Sequence, residues 1–133
     1  MPTQIFVNLP VHDLPKAKAF YTALGYSINP QFTNDEAACV VVSDTIYVML
    51  LVHPFFRSFT PKDICNTATH TEAILCLSAD DRASVDALVE RALQAGGGAP
   101  KPTQDLGFMY GRSFTDLDGH HWEVMTMLGA PPH

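Results

Sequence analysis

One order of local signals occurs twice along the chain, and it restricts the fold more than any other feature. Ile5-Phe6-Val7-Asn8-Leu9 is a short β-favouring run closed by Pro10. Asp13 then stands where it can cap a helix. Behind it Leu14, Ala17, Tyr21 and Leu24 recur at helical spacing, Pro15 falls in the first turn and Gly25 supplies the stop. Strand patterns follow over 26–32, 37–42 and 45–52, the last two joined by a tight Ser43-Asp44 turn. The order then starts again with the buried-type run Ala73-Ile74-Leu75-Cys76-Leu77 and the capping pair Asp80-Asp81. A helical face of Val85, Leu88, Val89, Ala92 and Leu93 comes next, ended by Gly96-Gly97-Gly98. Three more strands fit between residues 100 and 127. Those over 108–115 and 121–127 are joined across Asp116-Leu117-Asp118-Gly119, a turn whose glycine can take φ > 0.

Each half therefore reads β-α-β-β-β, and the fold class is α+β. Two paired modules form a curved mixed sheet around a cleft, the kind of concavity where small ligands bind. We divide the single domain, 1–133, into module 1 (1–52), a connecting loop (53–71) and module 2 (72–128). The loop holds Pro54, Pro61, Phe55, Phe56 and Phe59, follows neither period, and has room for a short helix. Its aromatics suit a pocket mouth or packing between copies of the chain.

Composition removes several classes of function. A 133-residue chain with 47% hydrophobic and 17% charged residues is an ordered globular protein able to bury a core unaided. Eight basic against fourteen acidic residues give a net charge of −6, which opposes phosphate backbones and anionic membranes, so neither nucleic acid nor membrane is an expected partner. Cys39, Cys65 and Cys76 are an odd number without paired spacing, which points to a reducing cytoplasm rather than a disulfide scaffold or cysteine zinc site. No basic leader and no long apolar run occurs, so a soluble, unprocessed chain is expected.

Two stretches resemble a known superfamily. Phe6-Val7-Asn8-Leu9-Pro10-Val11-His12-Asp13-Leu14, followed by Ala19-Phe20-Tyr21-Thr22-Ala23-Leu24-Gly25-Tyr26, is similar to the first-module signature of the vicinal oxygen chelate superfamily. Its members include glyoxalases, bleomycin-resistance proteins and extradiol dioxygenases. The segment from Arg112 to Val124, with its Asp-x-Asp-Gly turn, resembles the second-module signature, in which the last strand ends in a ligating glutamate. The resemblance spans nearly the whole chain and speaks for fold more than for reaction.

The resemblance implies a divalent metal held by the first and last strands of each module. At those positions this chain has Phe6 (with Asn8 as its same-face neighbour), Met49, Ile74 and Glu123. Phenyl and alkyl groups cannot ligate and a thioether is a poor ligand for hard or borderline metals, so only Glu123 matches. One carboxylate does not make a metal site. Two readings follow. In the first, the protein binds or converts a small cytoplasmic molecule in the cleft between modules, with an incomplete family metal site. In the second it is a divergent lyase, isomerase or dioxygenase that holds one divalent ion (Zn, Ni, Mn or Fe) through Glu123, His121 and Glu72. A purely structural interaction module is a third class, and the family habit implies a homodimer.

Strand parity and these positions nominate Phe6, Asn8, Tyr47, Met49, Ile74 and His121 for ligand binding and Glu123 as the catalytic residue, and Tyr110 and Arg112 join the ligand-binding set from their place at the entry to the strand before the Asp-Gly turn. Each has a plainer reading. Arg112 can clamp a ligand carboxylate or pair with Asp116, Asp118 or Glu123. His120, on the other face from His121, is expected in solvent. Cys76 is expected to be a small buried hydrophobe and not a nucleophile, because no cation is near it in sequence.

Overall fold

In the computed structural model, which describes residues 2–130, the first half runs β1 (Ile5–Val11), α1 (Leu14–Ala23), β2 (Ser27–Asn29), β3 (Ala37–Val41), β4 (Ile46–Val52) and a short helix, α2 (His53–Phe56). The second half runs β5 (Ile74–Ser78), α3 (Arg82–Gln94), β6 (Gln104–Asp105), β7 (Met109–Thr115) and β8 (His121–Met127). Each half has its own four-stranded mixed sheet, ordered β1-β4-β3-β2 and β5-β8-β7-β6. The first strand is parallel to the last in both, and the other pairs are antiparallel. The α+β repeat of β-α-β-β-β modules is thus present in full.

The repeat extends to the caps. Lys16 N–H donates to Asp13 Oδ1 at 3.0 Å, and Ser84 N–H donates to Asp81 Oδ1 at 2.8 Å. Gly25 and Gly96 follow the two helices with φ of 106° and 104°, a left-handed conformation that ends a helix at little cost only for glycine.

The chain divides into two compact units, one ending at Asn66 and the other starting at Thr67, so the connecting loop is shared between them. It carries α2 and a 3-10 turn over Arg57–Phe59. The strand expected over 26–32 stops at Asn29. Pro30 cannot donate to a ladder, and residues Pro30–Phe32 turn into a 3-10 helix whose Gln31 N–H is capped by Asn29 Oδ1 at 3.0 Å.

Alternation along each strand separates a helix-covered face from an opposite one. In the first unit Leu9, Val11, Val48, Leu50, Ala38 and Val40 are buried, as are Leu14, Ala17, Phe20 and Tyr21 of α1. In the second, Trp122, Val124 and Phe114 are buried along with Val85, Leu88, Val89 and Ala92 of α3. Both helices are short of apolar surface elsewhere, so burying this face drives each unit's assembly. No helix among the described residues is long and apolar enough to cross a membrane.

The β7–β8 connection is anchored from outside. His120 N–H and Asp118 N–H both donate to Asp116 Oδ1, at 2.9 and 3.0 Å, while the Thr67 hydroxyl donates to the Asp118 carbonyl. Gly119 has φ of 80° here, and a Cβ would lie 3.0 Å from the Thr67 carbonyl oxygen, so both backbone and space call for glycine.

Candidate functional site

On the sheet face away from α1, the register sets Phe6 beside Tyr47, and Asn8, Met49, Cys39 and Asn29 in one row across β1, β4, β3 and β2. A cavity of about 500 Å³ opens over all of these but Asn8, within the size range of small-molecule sites. The Phe6 and Tyr47 rings are stacked, centroids 4.8 Å apart and planes within 10°, and the Phe32 ring joins them in the lining. Cys39 and Met49 supply sulfur, and Gln4 and Asn29 the amides. None of the described lining residues is charged.

Two hydroxyl and amide contacts fix this wall. Tyr47 Oη donates to the Asp44 carbonyl at 3.1 Å, and Gln4 Nε2 donates to the same carbonyl at 3.2 Å. Tyr47 is therefore held at its tip as well as by stacking. Asn29 uses its side-chain oxygen on Gln31, leaving the NH2 end as a donor. Phe6, Tyr47 and Met49 lie where the sequence places them. Asn8 shares their face but is not in the lining of this cavity, its amide donating to the Phe6 carbonyl at 3.2 Å.

Gln4, Asn29, Phe32 and Cys39 were not singled out by sequence reasoning. Cys39 and Asn29 enter through the pairing of β2 and β3 with β4, and Phe32 through the turn after Pro30. A register count from the Ser43-Asp44 turn would have brought Cys39 opposite Met49.

In the second unit the face away from α3 carries Ile74 beside His121, and Cys76, Glu123 and Ser113 in a row across β5, β8 and β7. Glu123 is the centre of the polar contacts. Lys101 Nζ lies 2.7 Å from Glu123 Oε2, and His121 Nε2 lies 3.2 Å from the same oxygen. The Lys101 hydrogen bond, more than the His121 contact, holds the Glu123 carboxyl below its usual value against partial burial. That direction is opposite to what a general base working near neutrality needs.

Several expectations need correction here. Tyr110 and Arg112 belong to the other face of β7, because Ser113, not Arg112, stands opposite Glu123. Tyr110 Oη donates to Asp86 Oδ1 at 2.7 Å. Arg112 reaches Asp86 at 3.1 Å and Glu90 at 2.7 Å, both on α3, in place of Asp116, Asp118 or Glu123. A cavity of about 160 Å³ touches Arg112 beside Cys76, Lys101, Ser113 and Glu123, yet the guanidinium is committed to the helix. Counting back from the Asp-Gly turn would have shown the parity.

His120 is buried at 2% exposure rather than solvated: pointing away from His121 means pointing toward the covered side. Its Nδ1 lies 2.5 Å from Glu72 Oε1, with the distance of an ion pair but not the directionality of a hydrogen bond. Cys76 is exposed, on the uncovered face, and not a buried hydrophobe. Partial desolvation, then the charge of Glu123, raises its thiol pKa, so the reactive thiolate is scarce.

Of the three metal ligands named from the sequence, only His121 and Glu123 meet. Glu72 is drawn to His120, while His121 and Glu123 face Lys101. Among the described residues no group of three or more His, Cys, Asp or Glu could hold a metal ion. Phe6, Met49 and Ile74 offer no ligand suited to Zn, Ni, Mn or Fe at the positions the resemblance marks. These donors do not fit a divalent centre.

Comparisons with known proteins agree with this architecture. The family model described as bleomycin resistance protein-like N-terminal matches residues 3–43. No curated protein matches the chain. Among solved structures, a hypothetical protein, SA1046 from S. aureus, is 30% identical with a TM-score of 0.79, the match covering 95% of each chain. A glyoxalase/bleomycin resistance protein/dioxygenase family enzyme from Burkholderia phytofirmans PsJN is 16% identical, with a TM-score of 0.80 over 96% of this chain and 100% of that one. TnmS3, an antibiotic binding protein from Streptomyces sp. CB03234, is 20% identical, with a TM-score of 0.66 over 96% of this chain and 97% of that one. With both modules built as that fold requires and residues 3–43 matched by the bleomycin resistance protein-like model, this chain has the fold of the vicinal oxygen chelate superfamily, that of glyoxalase/bleomycin resistance/dioxygenase proteins.

Proposed function

We propose that the protein binds a flat, uncharged and largely apolar small molecule over the sheet of its first unit. The observation that carries this reading is the stacked Phe6–Tyr47 pair in a cavity of about 500 Å³ whose lining, among the described residues, holds no charge. A planar ring can extend the stack, and aromatic pairs contribute ~0.5–1.5 kcal/mol beyond the area they bury. A charged ligand would lose its hydration with nothing in the lining to pair it. The amides of Gln4 and Asn29 can orient one or two polar groups at the edge of such a ligand. Binding without chemistry also suits the second unit, where Glu123 is held as a low-pKa carboxylate. TnmS3, which shares the fold, is an antibiotic binding protein.

Calorimetric titration with 2-naphthol and acridone, and with 2-naphthoate as the anionic control, tests the reading. The neutral compounds are expected to bind and the anion to bind weakly. Phe6→Ala is expected to weaken binding about tenfold, ~1.4 kcal/mol. Its melting temperature should hardly move, because Phe6 is 49% exposed. Equal affinity for naphthol and naphthoate, or binding indifferent to Phe6→Ala, would overturn it.

A further inference from the structure

We propose that the ammonium of Lys101 stands in for a divalent metal at Glu123, making the polar site of the second unit metal-independent. The inference rests on this unit alone and holds whatever occupies the cavity of the first.

The geometry is that of a carboxylate already supplied with a cation. Lys101, in the segment between α3 and β6, places Nζ 2.7 Å from Glu123 Oε2. His121 Nε2 approaches the same oxygen at 3.2 Å, so the oxygen best placed to bind a metal beside His121 carries two contacts. A metal would have to expel the ammonium or sit against its positive charge. The remaining donors are too few to compensate. The row through Glu123 offers only the Cys76 thiol and the Ser113 hydroxyl, and the neighbouring row offers Ile74 beside His121. Structural and catalytic zinc sites use three or four protein ligands, and among the described residues no three His, Cys, Asp or Glu side chains gather to hold an ion.

The lysine is also positioned to do this job continuously. It is covalently tethered, so its effective concentration at Glu123 exceeds that of a free ion present in trace amounts. Ser113 Oγ, buried and without a hydrogen-bond partner among the described residues, lines the same cavity of about 160 Å³. Beneath the neutral Lys101–Glu123 pair it leaves a small polar recess, which Arg112 also lines while its guanidinium is spent on Asp86 and Glu90.

The experiment is calorimetric titration of the chelator-treated protein with Zn²⁺, Ni²⁺ and Mn²⁺, carried out on the wild type, Lys101→Met, Lys101→Gln and Glu123→Gln. The wild type is expected to show no stoichiometric binding that depends on Glu123. Removing the ammonium should expose the carboxylate and strengthen metal binding by on the order of 10- to 100-fold. Adding Glu123→Gln to Lys101→Met should abolish the gain. Binding that persists in Glu123→Gln lies elsewhere and agrees with a metal-free Glu123. Two results would overturn the inference. One is tight one-to-one binding to the wild type that Glu123→Gln removes. The other is a pair of Lys101 variants that melt cooperatively yet bind metal no better than the wild type, which would show that Lys101 is not what keeps metal away.

Discussion

Trp122→Ala should destabilise the protein by ~3–5 kcal/mol, while Glu123→Gln, one residue along the same strand, should cost under ~1 kcal/mol. The contrast follows from the pleat. Trp122 is 3% exposed and its ring lies parallel to Phe114, centroids 6.3 Å apart, on the face that also buries Val124. Truncation removes a large apolar side chain and leaves a cavity that β7, β8 and α3 cannot fully close. Glu123 points the other way and meets a lysine that is 43% exposed. Urea unfolding of the two variants measures both effects, and for a domain of this size the tryptophan change corresponds to roughly 10–20 °C in Tm. A loss below ~1 kcal/mol for Trp122→Ala would mean that α3 does not pack on this face.

Arg112→Ala should cost ~2–3 kcal/mol and leave ligand binding in the first unit unchanged. The side chain is 18% exposed, so truncation loses packing of its alkyl stem together with charge-assisted bonds to Asp86 and Glu90. Those carboxylates are about half exposed, which keeps the ionic share of the loss small. A pH dependence accompanies it. The Tyr110 hydroxyl first, and then the Arg112 guanidinium, hold the Asp86 carboxyl below its usual value. A depressed folded-state pKa contributes stability above the unfolded value, ~3.9, that is lost as pH falls through the folded one. The acid limb of the stability curve should therefore be shallower when Tyr110→Phe is combined with Arg112→Ala. A ligand affinity that falls with Arg112→Ala would return this residue to the binding site.

Much of the fold could be read before any coordinates because its signals are local. Asp13 and Asp81 cap, Gly25 and Gly96 stop, and the apolar spacing between them is helical. The strand at 26–32 and the helical turns of the connecting loop were less legible, since Pro30 redirects the backbone and the loop's aromatics follow no period. Three of the seven described residues lining the candidate site were legible for a similar reason. Phe6, Tyr47 and Met49 share a face by parity along β1 and β4, which needs only the period of two. Cys39 and Asn29 join them through pairing across β2, β3 and β4, a relation between distant segments.

The sequence by itself determined the repeated β-α-β-β-β order, its caps and stops, and that Phe6, Met49 and Ile74 bring no hard or borderline metal ligand to their strands. These are properties of single residues and of neighbours a few positions apart, where backbone geometry and donor chemistry are decided. Only the tertiary structure decided that Arg112 and Tyr110 grip α3, that His120 is buried against Glu72, and that Lys101 reaches Glu123 from another segment. Those choices depend on which strand lies beside which and on what a long side chain meets across the gap, and no local period encodes that.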